Sequence, residues 1–314
     1  RGPVWEEVII GLAESVQIVA LSATVSNAEE FGDWLAEVRG AMAIVLSERR
    51  PVPLFQHVMA GRRLYDLFAD ASTDVNPELT RMAKEESRFV RDDSRSQRGR
   101  RQRDRIDANR GKHTDRPNLV PRRDGAIEKL DAEGLLPAIY FIFSRASCDQ
   151  AVGQLMTSGL RLTTPAERAA LDEIAARHVA SLSDEDLEAL DYRGFAEALR
   201  RGIAAHHAGL LPAFKECVEE AFVRGLVKIV FATETLALGI NMPARSVVLE
   251  KLVKFNGEAH ADITPGEYTQ LTGRAGRRGI DVEGHAVVLW QRNFDPRSVA
   301  GLASRRTYPL KSAF

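Results

Sequence analysis

The sequence predicts an α/β protein built on a doubly wound parallel sheet. Apolar runs of strand length recur along its second half, at 138–143, 203–207, 227–232, 246–250 and 286–290. Segments with helical spacing of apolar residues separate these runs. A strand that is buried on both faces gives a continuous apolar run, and helices form the crossovers between parallel strands. No internal repeat suggests a solenoid instead.

The first 50 residues predict one strand–helix–strand unit. Residues 17–24 form an apolar run that ends in small hydroxyl residues. Ser26 to Glu29 has the pattern of a capping box and predicts a helix that continues through Leu35. A second strand is expected at 43–46. Residues 1–50 are therefore expected to be the end of a domain that begins earlier, and the first residue, Arg1, is not a Met.

The next two segments contain little hydrophobic periodicity. Pro51 and Pro53 favour an extended chain, so residues 51–71 are expected to be a linker. Residues 72–130 are rich in Arg, Asp, Ser and Gln and are expected to be a basic disordered insert. The insert is expected to be either a solvated linker or an arm whose arginines attract phosphate groups without sequence preference.

A second domain is expected at 131–292, with the start of a further, truncated domain at 293–314. Helices are predicted through Cys148 and Leu155, after the capping boxes that begin at Thr164 and Ser183, over 213–224, and over 266–278. Gly225 is expected to end the helix at 213–224.

Composition excludes several classes of protein. The 314 residues are 44% hydrophobic and 28% charged, with a net charge of -1 and a pI of about 6.8, so the molecule as a whole is not a polycation. No apolar run is long enough for a membrane span, so none is expected, and the first residues do not have the pattern of a signal peptide. Cys148 and Cys217 lie in apolar stretches and are expected to be buried in a cytoplasmic protein.

Ligands of such sheets bind beyond the carboxyl ends of the strands. The segments there begin at Ser144, at His207 and at Thr233, and the stretch that ends in Arg277 is expected at the same edge. His206 and His207 are adjacent on a strand and point to opposite faces, so no metal site is expected.

Five motifs occur in order along the chain. They are Ser22-Ala23-Thr24, Phe141-Ile142-Phe143-Ser144-Arg145, His206-His207-Ala208-Gly209-Leu210, the stretch from Phe231 to Pro243 (FATETLALGINMP), and the stretch from Gln270 to Gly279 (QLTGRAGRRG). Together they resemble motifs III, IV, IVa, V and VI of the superfamily-two DExH-box helicases, in the superkiller and exosome-helper branch and its bacterial HelY type.

The resemblance implies a motor of two RecA-like lobes with ATP and Mg²⁺ held between them and single-stranded RNA or DNA lying across both. Residues 1–50 would be the end of the first lobe and residues 131–292 the whole second lobe. The partners implied are single-stranded nucleic acid and the amino-terminal lobe of the same protein, which is expected to be a monomer.

Arg274 and Arg277 are the expected catalytic residues, together with Gln270. Negative charge spreads over the equatorial oxygens when the γ-phosphoryl group leaves, and a guanidinium from the facing lobe stabilises it. A planar guanidinium donates two parallel hydrogen bonds, which suits phosphate oxygens. Both arginines were placed at the start of one helix, where a spacing of three residues turns them to the same side.

The other motif residues are assigned by the same resemblance. Gly239 and Asn241 are expected beside the nucleotide, although many relatives carry Asp at the position of Asn241. Ser22 and Thr24 are expected to couple nucleotide state to strand binding, or to be ordinary small residues at a strand end. Hydroxyls, a backbone N–H and one arginine suit binding of phosphates without sequence preference, and the residues expected to do so are Ser144, Arg145, Gly209, Thr233 and Thr235. Helix capping is the alternative for the two threonines.

The 314 residues contain no phosphate-binding loop of the pattern Gly-x-x-x-x-Gly-Lys-Ser/Thr, and the chain alone is not expected to hydrolyse ATP. Two other functions stay open. One is a nucleic-acid-binding module that works without ATP, and the other is a duplex-DNA translocase of the same superfamily.

Overall fold

The computed structural model describes residues 2–21, 28–45, 47, 50–69, 73–99, 118–238, 242–255 and 259–304. Within these ranges, every helix is too short or too polar to cross a membrane.

A seven-stranded sheet organises the chain from residue 54 onward. Its strand order is β2-β1-β9-β6-β3-β5-β4, and every neighbouring pair is parallel except β1 and β2. The strands are β1 (Leu54–Ala60), β2 (Arg63–Asp66), β3 (Ala138–Phe141), β4 (Ile203–His206), β5 (Ile229–Ala232), β6 (Ser246–Leu249) and β9 (Gly284–Leu289). A separate antiparallel hairpin is formed by β7 (Val253–Phe255) and β8 (His260–Asp262). This arrangement confirms the predicted α/β class and doubly wound sheet.

Side chains of successive strand residues enter two different cores. On β3, Ile139 and Phe141 join the larger core, whereas Ala138 and Tyr140 join the smaller one on the other face. All four are fully buried. Helices cover both faces, which explains why the central strands are apolar without alternation.

Several helices begin where the sequence provides a capping side chain. The capping boxes predicted at Thr164 and Ser183 are both formed, and a third is formed at Thr264. The helices are α1 (Gly2–Gly11), α2 (Ala28–Arg39), α3 (Pro77–Gly99), α4 (Arg123–Ala132), α5 (Arg145–Ser158), α6 (Pro165–His178), α7 (Asp184–Ala189), α8 (Tyr192–Arg200), α9 (Pro212–Val223), α10 (Pro265–Thr272) and α11 (Pro296–Ser304). A turn of 3-10 helix, Glu234–Leu238, follows β5.

The expected linker and insert differ from the structure. Residues 51–71 contain β1 and β2, and β1 pairs with β9 over its length, so this segment belongs to the sheet. Strand β1 was not predicted, because its burial pattern does not alternate and the prolines before it favour an extended linker. Within 72–130, α3 and α4 are regular helices. Leu79 of α3 is fully buried, as are Ala126, Ile127 and Leu130 of α4, so both helices are anchored in the core.

Two expected strands are absent from the described part of the first 50 residues. No strand is assigned at 17–21 or at 41–45. Val19, Leu21 and Val45 are more than four-fifths exposed, at 84%, 91% and 88%. A strand requires a neighbouring strand for its hydrogen bonds, and none lies beside these residues in the described ranges.

The helix expected at 266–278 ends early. Helix α10 stops at Thr272, and the chain then forms an irregular loop, residues 273–283, before β9. Gly276 has a positive φ of 86°, which a right-handed helix cannot contain. The arginines of this segment therefore lie on a loop.

Candidate nucleic-acid and nucleotide interfaces

Three of the predicted binding segments meet at one edge of the sheet. Strands β3, β5 and β4 are adjacent and parallel, so their carboxyl ends lie side by side. Ser144 and Arg145 follow β3, Thr233 and Thr235 follow β5, and Gly209 follows β4. The structure thus gathers all five residues that were expected to contact a nucleic-acid strand. We call this set the carboxyl edge.

Arg145 and Gly209 are direct neighbours at this edge. Both are exposed, and a Cβ added to Gly209 would lie 3.6 Å from Cδ of Arg145. The Gly209 N–H, however, donates to Nδ1 of His207 at 3.1 Å. Gly209 therefore allows close approach of a ligand beside a guanidinium, but its N–H is already used inside the protein.

The two histidines face opposite sides of the sheet, as their adjacency predicted. His207 Nδ1 accepts from Gly209, so the other ring nitrogen carries the proton and donates to Asp149 of α5 at 2.9 Å. His206 lies 2.7 Å from Glu219 of α9. Burial lowers the pKa of His206 more than Glu219 raises it, so this imidazole is neutral at pH 7. Sequence reasoning missed Asp149, which fixes the Gly209 loop through His207.

The hydroxyls at the carboxyl edge have defined partners. Ser144 is the N-cap of α5, and its Oγ accepts from the Ser147 N–H at 3.4 Å. The hydroxyls of Thr233 and Thr235 are 2.9 Å apart. Thr233 is buried and Thr235 is exposed, so Thr235 is the member of the pair that an approaching phosphate reaches first.

Arg274 and Arg277 lie at the opposite edge of the sheet. The loop that contains them, residues 273–283, leads into the amino end of β9, and Ala275 pairs with Ala244 just before β6 begins. The sequence analysis placed this stretch at the carboxyl ends of the strands, and that placement is wrong. Strands of four to six residues separate the two edges by roughly 13–20 Å. We call residues 273–283 the arginine loop.

Arg277 is held by Asp281 within the arginine loop. Its Nε and one terminal nitrogen each donate to the Asp281 carboxylate at 2.8 Å, and its backbone N–H does so at the same distance. The Asp281 side chain is 3% exposed and that of Arg277 19%. Burial raises the pKa of Asp281, but the hydrogen bonds from Arg277 outweigh it and keep that pKa below its ordinary value. Asp281 was not singled out from the sequence, although its position four residues after Arg277 is the available signal.

The backbone of the arginine loop is fastened on both sides. The Gly276 N–H donates to the Ala244 carbonyl at 2.8 Å, and a terminal nitrogen of Arg50 donates to the Ala275 carbonyl at 2.7 Å. Gly276 has no room for a side chain, since an added Cβ would lie 2.7 Å from Val52. These contacts hold the arginines on a fixed frame.

The remaining predicted site residues divide into two groups. Gln270 is exposed in the last turn of α10, and Arg274 is half-buried, which lowers the pKa of its guanidinium but leaves it charged at pH 7. Helix α10 ends just before the arginine loop, and Arg274 lies in that loop with Arg277. The others lie outside the described residues, and they are Ser22, Thr24, Gly239 and Asn241.

The chemistry of the described residues suits an anionic ligand better than a cation. No group of three His, Cys, Asp or Glu side chains that could hold a metal occurs in the described ranges. Arginines of the loop have the planar donor geometry that fits phosphate oxygens. Cys148 and Cys217 are fully buried, as expected, and burial raises the pKa of each thiol to about 12.

Comparisons with known proteins identify the family of this chain. A family model described as the helicase conserved C-terminal domain matches residues 178–279, which include β4, β5, β6, α10 and both arginines. The probable helicase HelY of Mycobacterium tuberculosis is 57% identical over 324 residues, a match that covers 100% of this chain and 34% of that protein. A chloroplastic DExH-box ATP-dependent RNA helicase of Arabidopsis thaliana is 39% identical over 338 residues, covering 100% of this chain and 28% of that protein. Human superkiller complex protein 2 is 37% identical over 304 residues, covering 92% and 23%.

The sheet is that of a RecA-like helicase lobe, and the chain belongs to the superfamily-two DExH-box helicases. Within that family it belongs to the superkiller branch, with the HelY-type helicases. The chain spans about a third or less of the length of these relatives.

Proposed function

We propose that this chain is the second-lobe part of an ATP-dependent helicase that moves along single-stranded RNA or DNA. The observation that supports it best is the fixed arginine loop at one edge of the sheet, with a separate set of groups of a kind that suits phosphates at the other edge. A molecule that only binds nucleic acid needs the second feature but not the first. The name of the Arabidopsis relative, an ATP-dependent RNA helicase, favours RNA.

In this proposal, Arg274 and Arg277 act on ATP held mainly by a first lobe. That lobe supplies the phosphate-binding loop and the acidic ligands of Mg²⁺, because the 314 residues include no such loop. Attack of water on the γ-phosphorus breaks its bond to the β,γ-bridging oxygen and places negative charge on the transferring oxygens. The pair with Asp281 uses two of the five N–H donors of the Arg277 guanidinium. Asp281 thus orients Arg277 while donors for phosphate oxygens are left over.

The carboxyl edge would hold the nucleic-acid backbone. Arg145 provides the charge, Gly209 provides close approach, and Thr235 provides a hydroxyl, and none of these groups reads a base. Residues 1–50 would contribute the last elements of the first lobe. The account expects binding with little sequence preference and a strong dependence on salt.

Hydrolysis is tested by comparing two lengths of the protein. ATP turnover is measured for residues 1–314 and for a version extended to the length of its relatives, each with and without single-stranded RNA. The proposal expects turnover only in the extended protein, stimulated by RNA. Turnover of equal rate in the 314-residue chain would place the active site elsewhere.

Binding is tested at the carboxyl edge of the extended protein. Arg145→Ala is compared with Arg161→Ala, which removes the same charge from an exposed arginine beyond the other end of α5. Arg145→Ala should weaken binding of several unrelated RNA sequences by a similar factor, and should reduce the slope of log affinity against log salt by about 0.7. If the two variants behave alike, the proposed edge is not the binding surface.

A further inference from the structure

One lysine links the carboxyl edge to the helix that leads to the arginine loop. Nζ of Lys254, on β7, donates to Glu234 at 2.7 Å and lies 2.6 Å from a carboxylate oxygen of Glu267. The Lys254 side chain is only 17% exposed. A single ammonium group thus contacts two separate elements of the fold.

The two glutamates belong to different functional segments. Glu234 lies between Thr233 and Thr235 and begins the 3-10 turn at the carboxyl edge. Glu267 is in the first turn of α10, where it completes the capping box with Thr264. Helix α10 then runs along one face of the sheet to Gln270 and into the arginine loop. Because Nζ of Lys254 contacts both glutamates, a displacement of Glu234 changes the contact that Lys254 makes with α10.

The contact joins one positive charge, on Lys254, to two negative charges, so its energy depends on the positions of both glutamates. Burial lowers the pKa of Lys254, but the hydrogen bonds to Glu234 and Glu267 outweigh it, so its pKa lies above the ordinary value and the ammonium stays charged. Without the cation, two carboxylates would face each other at short range, which is unfavourable. The ammonium thus offsets the repulsion between a carboxylate of the 3-10 turn and one of α10.

We propose that Lys254 is a positioning residue that transmits binding of a nucleic-acid strand at Thr233 to Thr235 into the orientation of α10 and the arginine loop. This inference rests on the proposed function, since it presumes that the carboxyl edge binds the strand and the arginine loop serves ATP. Lys254 contacts neither ligand in this account. Its removal should separate the two activities without abolishing either one.

The test uses Lys254→Met in the full-length protein, with Lys228→Met as the matched control. Lys228 also forms a half-buried ion pair, with Glu167 at 2.5 Å and 21% exposure of its side chain, but it precedes β5 at the amino edge. ATP turnover is measured at saturating ATP over a series of RNA concentrations. Lys254→Met should reduce the RNA-stimulated kcat about tenfold, a usual size for coupling between two sites. The rate without RNA and the KM for ATP should change less than twofold, and Lys228→Met should keep full stimulation.

Two further variants keep the outcome decisive. Lys254→Arg retains a cation that can contact both carboxylates and should restore most of the stimulation. Glu267→Gln keeps a capping residue but removes one charge of the contact, so it should fold and lose part of the stimulation even if Lys254→Met does not fold. Unchanged stimulation in Glu267→Gln and in any folded Lys254→Met overturns the inference. A wild-type protein that RNA does not stimulate at all would instead overturn the proposed function.

Discussion

Replacing Gly284 with alanine should displace the arginine loop. An added Cβ would lie 2.6 Å from the Gly276 nitrogen and 2.7 Å from the carbonyl carbon of Ala275, whereas ordinary contacts of a Cβ begin at 3.4 Å. Both neighbours are backbone atoms, so the loop itself must shift by several tenths of an ångström or more. Such a shift strains the hydrogen bond from Gly276 to Ala244 and the one from Arg50 to Ala275, at 2.8 and 2.7 Å.

The expected cost is about 2–4 kcal/mol of unfolding free energy, from about 1–3 kcal/mol for overpacking and about 1 kcal/mol for one weakened hydrogen bond. Urea unfolding of the 314-residue chain, followed by circular dichroism, measures it. Gly153→Ala is the control, since Gly153 lies in α5 with nothing within 4 Å of an added Cβ. That change should stabilise the chain by about 0.5–1 kcal/mol. If Gly284→Ala lies within about 0.5 kcal/mol of wild type, the close packing of the arginine loop on β9 is wrong.

Three further predictions concern titration and burial. Asp281→Asn should lower the unfolding free energy by about 2 kcal/mol, because Arg277 is partly buried and loses a charged acceptor. Urea unfolding at pH 7 measures this change, and an unchanged free energy would mean that the pair is not formed. Hydrogen bonds, first from His178, lower the pKa of Glu220 to about 2 from an ordinary value of 4.5. The stabilisation from Glu220 is complete above pH 4.5 and disappears as pH falls toward 2. Glu220→Gln should therefore make the unfolding free energy depend less on pH in this range, and parallel profiles for variant and wild type would contradict the prediction. Burial raises the pKa of the Cys148 thiol to about 12. The thiol should therefore react with a thiol reagent at pH 8 only after unfolding, and rapid labelling of the folded chain would refute its burial.

Most of the parallel sheet could be predicted from the sequence, because its central strands are short, apolar and separated by helices. The capping boxes at Thr164 and Ser183 have local signatures, since the side chain and its backbone partner are three residues apart. Strands β1 and β2 were not predicted. β2 is the edge strand, and β1 beside it pairs on its other side with β9, which lies more than 200 residues later in the chain. Pairing over that distance leaves no local trace.

The candidate site was predictable in content but not in arrangement. The residues of the carboxyl edge were assigned through the resemblance of their motifs, and their positions after recognisable strands predicted that they lie at one edge. The arginine loop was assigned to the wrong edge, since the end of α10 depends on the positive φ of Gly276 and on packing against Val52. The contacts of Lys254 depend on three segments that meet only in the folded chain. Side-chain pairs of that kind are set by tertiary structure, and a single sequence does not reveal them.

The most direct test of the central claim compares Arg277→Ala with Arg278→Ala in the full-length protein. Both changes remove one charge from the arginine loop, but Arg278 is exposed and is not assigned to ATP. RNA-stimulated ATP turnover is measured at saturating ATP, together with the affinity of each variant for RNA. The account predicts that Arg277→Ala lowers kcat by about 10³-fold or more while RNA affinity and the Arg278→Ala rate stay near wild type. Equal rates for the two variants would show that Arg277 does not act on the transferring phosphoryl group.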